Sequence, residues 1–376
     1  MRVFVSEYLV GGASTGSAVS ASMRHEGLAM LQAVTDDIAR LPDCSVVTTL
    51  ESGLPFPSNI EVIRVDNADA ESAWFHRLLC EADAVLVIAP ETNGVLAERC
   101  RQVTETNVTS WNCSGAAIEL CGDKLRLSQH LAVHGLPTLP TTSVDLDQPT
   151  SPTTFPVVLK PRDGAGSCLT FLVQNCQHWE HAAQSFHEAG ASHGCLSQPF
   201  VTGRALSVGV NISLDGRRIE CLPVGEQRLS TDGRFQYLGG VIPANISPKA
   251  QTAIEDLVLA TCRSIDGLAG YIGLDLLLTK DDSPVIVEIN PRLTTSYIGY
   301  RQLYAQPIPG RWFSSADGTP PSPIQTGPIE FSPMTVSILN RQTSQSDDEE
   351  FASLAPQHVL SANLMTNRSG GLDWSS

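Results

Sequence analysis

The sequence predicts an α/β protein: an open, largely parallel α/β layer over residues 1–112, then a strand-rich region. Three observations carry this. Apolar runs of strand length alternate with helical segments over the first part of the chain. A Pro/Thr-rich linker at residues 136–156 then interrupts that order. Beyond it, one strand pair brackets a glycine loop, and two apolar strands carry Asp275, Glu288 and Asn290.

In the first layer, strand-like runs at 2–5, 45–50, 60–65 and 84–89 alternate with helical segments at 18–41 and 71–80. The loop Val10-Gly11-Gly12-Ala13-Ser14-Thr15-Gly16 invites a dinucleotide reading, but Ala13 takes the second glycine position of G-x-G-x-x-G. Ligands of open α/β sheets bind at the carboxyl ends of strands. Glu7 and Tyr8 end the first strand and Glu91 follows another, so these side chains are candidates to face a substrate; solvated turns are the other reading of each.

Asp123 is placed to cap a helix that opens with Lys124. After the linker, the strand 157–161 ends on Lys160-Pro161, followed by a loop with Gly164, Gly166 and Ser167 and a second strand at 168–173. Glycine leaves backbone N–H groups free to close over phosphate oxygens. No Gly-Lys-Ser/Thr follows and no helix begins there, so this is not a Walker loop. By itself such a hairpin is usually just a turn, and a lone Lys160 is more often a solvated strand-end lysine. The next strand-like segment, 194–201, holds Gln198, Phe200 and Val201, whose backbone and apolar side chains could serve an adenine edge, or simply a sheet. The strand 285–290 places Glu288 and Asn290 two residues apart, hence on one face. An unpartnered buried carboxylate is costly. With Asp275 on the neighbouring strand 271–278, the three make a hard-oxygen set suited to Mg²⁺, and Mn²⁺ would fit the same oxygens.

Taken in order, Asp123-Lys124, Lys160-Pro161 before Gly164 to Ser167, the segment 198–203, Asp275 and Glu288-Ile289-Asn290-Pro291-Arg292 resemble the ATP-grasp superfamily. The resemblance covers residues 113–300. It implies two α+β subdomains that hold ATP between them, a nucleotide-binding part at about 124–202 and a metal-binding part at about 203–304. By that resemblance Lys124 and Lys160 contact phosphates, Gly164, Gly166 and Ser167 cover them, Gln198, Phe200 and Val201 hold adenine, and Asp275, Glu288 and Asn290 bind Mg²⁺. Chemistry then rests on positioning and charge neutralisation, with Lys160 and Arg292 as catalytic residues. The planar fork of Arg292 suits a carboxylate or acyl phosphate, a surface ion pair being its plainer use.

A closer resemblance lies in the flanks. Glu7-Tyr8 before Gly11-Gly12, the run 26–31, the run 90–96 and the run 290–297 are similar to the tyramine–glutamate ligase group of methanofuran biosynthesis and its bacterial relatives. This implies a carboxylate–amine ligase acting through an acyl phosphate on an amino acid or small amine, with Glu7, Tyr8, Glu91 and Arg292 at the substrate and a place in one-carbon cofactor synthesis. Two positions depart from wider ATP-grasp patterns. Ala205 stands where many members place a ribose-binding Glu, leaving Glu226 as a substitute, and Gly273 stands where D-alanine ligase-like enzymes carry an arginine. Other ATP-grasp chemistry (carboxylation or phosphoryl transfer) and a regulatory module without turnover remain as alternatives.

Composition bounds these readings. The 376 residues are 42% hydrophobic, enough for two or three compact units. With 40 acidic against 24 basic residues the net charge is −16, which disfavours nucleic acid and anionic membranes. No apolar stretch reaches about 18 residues, and Met1 to Val5 reads as a strand rather than a signal peptide, so a cytoplasmic chain is expected. Ten cysteines without a CxxC pair indicate neither zinc nor disulfides. A homodimer is compatible with the sequence. Residues 305–376 read as a partly irregular extension, with breaker clusters at 307–310 and 319–323, a polar acidic run at 342–350, and edge strands at 329–339 and 358–364.

Overall fold

Strand β1 (Arg2–Glu7) buries Val3, Phe4 and Val5 completely, as a central strand covered on both faces must. A computed structural model of the chain, describing residues 1–17, 19–56, 59–147, 151–164, 166–191, 194–313 and 328–332, places β1 mid-sheet. Its neighbours are β2 (Ser45–Glu51), β3 (Glu61–Val65), β4 (Ala84–Ile88) and β5 (Thr109–Ser110), all parallel, in the order β3-β2-β1-β4-β5. Helices α1 (Ala21–Ala39), α2 (Ala68–Glu81) and α3 (Val95–Thr104) make the crossovers. Their starts follow the caps: Ser20 accepts from the Met23 N–H and Asn67 from the Ala70 N–H, which begins α1 later and α2 earlier than apolar periodicity alone suggests. Strand order turns at β1 and β4, so their carboxyl ends flank the crevice of this layer.

Helices α4 (Gly115–Gly122) and α5 (Lys124–Val133) follow. As expected, Asp123 caps α5, accepting from the N–H groups of Leu125 and Arg126 at 3.1 and 3.0 Å. Over its described residues the linker carries a strand that its composition does not suggest. Within it β6 (Thr142–Val144), made of β-branched residues and a serine, takes the open edge of a four-stranded antiparallel sheet, β6-β9-β7-β8. Its other members are β7 (Val157–Pro161), β8 (Phe171–Val173) and β9 (Cys195–Pro199), backed by α6 (Cys176–Glu188). Strand β8 starts at Phe171, not at residue 168, because Ser167 and Leu169 adopt φ of 56° and 51° and break the extended chain. This lobe has its own core, in which Leu159, Phe171, Trp179 and Phe186 meet.

The third sheet has seven strands: β10 (Arg204–Ile212), β11 (Ile219–Cys221), β12 (Gly225–Leu229), β13 (Tyr237–Ile242), β14 (Gly270–Leu278), β15 (Pro284–Asn290) and β16 (Ile329–Phe331). Its path is β15-β14-β10-β12-β13-β16, with β11 on β10. Helices α7 (Pro248–Ser264) and α8 (Tyr297–Leu303) cover it, and its core is continuous with that of the first layer. The breaker cluster at 307–310 is not loose. It starts a single 3₁₀ turn, Ile308–Trp312, whose Trp312 is fully buried edge-on to Trp111 with ring centroids 5.9 Å apart. Strand β16 occupies 329–331 of the expected edge strand; the run at 342–350 and the strand at 358–364 lie outside the described residues. Among the described residues no helix is long and apolar enough to cross a membrane.

Candidate functional site

Between the four-stranded lobe and the seven-stranded sheet lies a cleft of about 590 Å³. Register builds its acidic floor. Asp275 on β14 pairs with Glu288 on β15, and Gly273 pairs with Asn290, so all three side chains enter the cleft. A bulge follows, since Leu276 pairs with Ile286 and leaves Val287 as the extra residue. The Asn290 amide donates to Asp275 Oδ2 at 3.2 Å, and the Gln227 amide, from β12, donates to Oδ1 at 2.8 Å. Burial first, then the facing Glu288 charge, hold the Asp275 carboxyl well above its ordinary range. Burial also works to raise Glu288, but Lys124, Lys160, the contact with Asp275 and Arg292 together outweigh it and the net direction is down. Among the described residues no three His, Cys, Asp or Glu side chains gather as a metal site. The set here is two carboxylates and an amide.

Facing this floor, the Lys124 ammonium donates to the Gly164 carbonyl at 2.9 Å and stands 3.7 Å from Glu288. Lys160, on β7, is 7% exposed and has no protein group at hydrogen-bonding or ion-pair distance among the described residues. Burial pulls its pKa down to about 8; Lys124 acts in the same direction, while Glu288 and Asp275 oppose it. A desolvated ammonium without a partner is costly unless an anion joins it.

The glycine loop closes one side. Gly164 and Gly166 have φ of 144° and 71°, conformations that glycine takes readily, and Ser167 donates to the Phe235 carbonyl at 2.8 Å. The Leu172 N–H donates to the Gly233 carbonyl at 2.8 Å, and Asp163 accepts from the Asn93 N–H at 2.7 Å, so the loop is tied to both neighbouring layers. Further along the cleft Gln198 is buried and donates to Thr141 at 2.8 Å. Phe200 lies 6.3 Å from Phe235, and the backbone amide of the cleft-lining Val201 has no partner among the described residues. Apolar side chains beside an open amide suit a heteroaromatic base.

Other expected residues fall elsewhere. Glu7 is 1% exposed and does not line the cleft; its carboxylate folds back to accept from the Val10 N–H at 2.6 Å. A Cβ on Gly27 would come within 2.7 Å of Glu7, so α1 needs glycine to pass over this carboxylate. Tyr8 lies under Arg99, 5.4 Å from its guanidinium, and also misses the cleft. The loop 10–16 is not a phosphate cradle either: Gly11 turns back onto the Glu7 carbonyl, and Gly12 is packed so tightly on Val65 that a Cβ would sit 2.2 Å from it. Glu91 clasps Arg292 with two hydrogen bonds of 3.0 Å, holding the guanidinium rather than facing the cleft. Arg292 does line the cleft. Its Nη1 also donates to the Leu293 carbonyl, which leaves one N–H on each terminal nitrogen without a partner among the described residues. Glu226 is bonded to Arg204 and does not reach the cleft, so it is no substitute for a ribose ligand at Ala205.

Burial pushes the Glu7 carboxyl up to about 7 against the pull of the Val10 and Leu9 amides and of Arg292 and Arg24. A folded-state pKa above the ordinary 4.5 contributes stability that is complete below 4.5 and is lost as pH rises through 7. Glu7→Gln keeps an acceptor for Val10 and removes the charge. At pH 8 it is expected to be more stable than the parent by up to about 3 kcal/mol, the difference vanishing near pH 4.5. Urea midpoints at pH 5 and pH 8 decide it; equal midpoints at pH 8 would contradict this account of Glu7.

Sequence reasoning missed Glu26, Ser207, Gln227, Tyr237 and the run Thr294-Thr295-Ser296, all of which line the cleft. The hydroxyl run directly after Arg292 was a readable signal. Glu26 heads the run 26–31 noted for its resemblance but was given no role, and Gln227 gave no signal; the packing of α1 against Thr295 and the place of β12 in the sheet of β14 bring them in.

Two lysines at a glycine loop and a carboxylate–amide floor line one cleft between two antiparallel sheets. The model of the ATP-grasp domain matches residues 121–296, and that of the pre ATP-grasp 3 domain matches residues 44–118. The tyramine–L-glutamate ligase of Methanocaldococcus jannaschii is 26% identical over 248 residues, covering 65% of this chain and 67% of its own. The crystal structure of an ATP-grasp superfamily protein from Archaeoglobus fulgidus superposes with a TM-score of 0.63 at 23% identity, over 82% of this chain and 86% of that one. N5-carboxyaminoimidazole synthetase from Staphylococcus aureus complexed with ADP gives 0.61 at 16% identity, over 91% and 86%. The chain belongs to the ATP-grasp superfamily and is an ATP-using enzyme, with a pre-ATP-grasp α/β domain ahead of its ATP-grasp domain.

Proposed function

We propose that this enzyme is a carboxylate–amine ligase that forms an amide through an acyl phosphate. The observation that carries the reading is Lys160, an ammonium without a partner among the described residues that faces the Asp275–Glu288 pair. In the first step a substrate carboxylate oxygen bonds to the γ-phosphorus of ATP, the β–γ bridge breaks, and ADP leaves. In the second the amine nitrogen bonds to the acyl carbon, phosphate leaves with the electron pair of its C–O bond, and the nitrogen loses a proton to solvent.

Lys160 and Lys124 hold and neutralise phosphate oxygens, and the loop at Gly164, Gly166 and Ser167 excludes water above them. Gln198, Phe200 and Val201 hold the base. The open edge of Arg292, kept in place by Glu91, receives the substrate carboxylate. The cleft also fits Mg²⁺: Asp275, Glu288 and Asn290 supply hard oxygens, and the mutual repulsion that raises Asp275 is what a divalent cation would relieve. Bound there, the ion would supply charge neutralisation for the phosphates. Residues 113–304 form this working unit in our reading. The relatives' names make tyramine and L-glutamate the first pair to try as substrates.

Calorimetry should give ATP binding that weakens at least tenfold when chelator replaces Mg²⁺, and no NAD(P) binding. The assay is ADP release with an amide-product mass, starting from that pair and widening to other amino acids and amines. Equal ATP affinity with chelator removes the metal role. ADP release without an amide product would instead favour carboxylation or phosphoryl transfer.

A further inference from the structure

From the placement of Glu26, Arg292 and Lys160 in one cleft, we infer that the carboxylate-bearing substrate is an amino acid whose ammonium group docks on Glu26. The inference rests on the ligase reading above and names the substrate class of that site.

Glu26 comes from α1 and lines the cleft together with Arg292 and Thr295. Its carboxylate accepts from the Thr295 hydroxyl at 2.8 Å, and no cation lies within ion-pair distance of it among the described residues. Burial raises its pKa against the hydrogen bonds of Thr295 and Ser22 and the field of Arg292. The one neighbouring cation, Arg292, is already clasped through two hydrogen bonds by Glu91. Glu26, Glu91 and Arg292 therefore sum to a negative charge at this end, while Lys124 and Lys160 stand near the glycine loop. A part-buried carboxylate with only neutral donors gains from a ligand that brings a positive charge and N–H donors.

The two ends thus ask for opposite ligand charges. The lysines fit phosphate oxygens. The open N–H edge of Arg292 fits a carboxylate, and Glu26 beside it fits an ammonium attached to the same molecule. A zwitterionic amino acid meets both; a simple carboxylic acid leaves Glu26 uncompensated and is disfavoured. Glu26 acts as a specificity-determining residue, and the phosphoryl transfer itself does not require it.

The test compares each amino acid with its desamino counterpart, beginning with L-glutamate and glutarate, using the full chain with ATP and Mg²⁺. The parent should prefer L-glutamate by at least tenfold in kcat/KM. Glu26→Gln should reduce that preference by about 10- to 100-fold, the scale for a hydrogen bond to a charged group, mostly through the KM of the amino acid. The KM for ATP should stay nearly constant. Binding of L-glutamate in the presence of a non-hydrolysable ATP analogue should weaken by a similar factor, and Glu26→Asp should restore part of it. An active parent whose preference survives in Glu26→Gln overturns this inference and leaves the ligase reading standing. Amide formation from carboxylic acids but from none of the twenty amino acids also overturns it alone. No turnover with any acid overturns both.

Discussion

Lys160→Ala is expected to lower kcat by about 10²- to 10³-fold, the scale for losing one preorganised electrostatic contact, equivalent to about 3–4 kcal/mol. The reason is its isolation. An ammonium held at 7% exposure without a protein partner is already desolvated, so its attraction for a phosphoryl group is little reduced by water. Its pKa, lowered to about 8, adds a signature. The charge is present below pH 8 and is lost as pH rises through that value, so kcat/KM of the parent should fall on the alkaline side with a midpoint near 8. The alanine variant should lack that limb. Steady-state kinetics from pH 6 to 9.5 decide it, and a variant within a few-fold of the parent at pH 7 would remove Lys160 from the chemistry.

Glu288→Gln is expected to be at least as damaging to turnover, because it removes a ligand charge while keeping the shape. Its effect on the unliganded fold should run the other way or be small. Asp275 faces Glu288 in register and is held up by burial and by that facing charge, so one carboxylate fewer relieves the repulsion while Lys124 and Lys160 lose an attraction. Activity and stability should therefore separate: a Tm within a few degrees of the parent without nucleotide, and a much smaller rise in Tm when ATP and Mg²⁺ are added together. A variant that unfolds near room temperature, or one that keeps the full Mg²⁺-dependent rise, would contradict the proposed role.

Much of the fold was legible because its strands announce themselves locally. The central strands of the first layer, β1 and β4, are largely apolar on both faces, and β14 and β15 are apolar enough that Asp275, Glu288 and Asn290 stand out against them. Period-two alternation and pairing then fix what those three can reach, and both are properties of neighbouring residues in sequence and register. Caps moved helix ends by a few residues, and left-handed residues at 167 and 169 shortened β8.

The sequence by itself determined the order of elements, the carboxylate–amide floor, the glycine loop and Lys160 just before it, since each is written in one or two adjacent strands or turns. Only the tertiary structure decided which polar groups face the cleft and which are spent on the protein. Glu7 and Glu91 lie at the strand ends where a ligand would be sought, yet one is turned inward onto the Val10 amide and the other is committed to Arg292, 201 residues away in the chain. Glu26 and Gln227 enter the site from α1 and β12. A carboxylate's role depends on which donors and cations lie within a few ångströms of it, and for Glu91 and Glu26 that company, Arg292 and Thr295, comes from more than 200 residues along the chain, which no local pattern encodes.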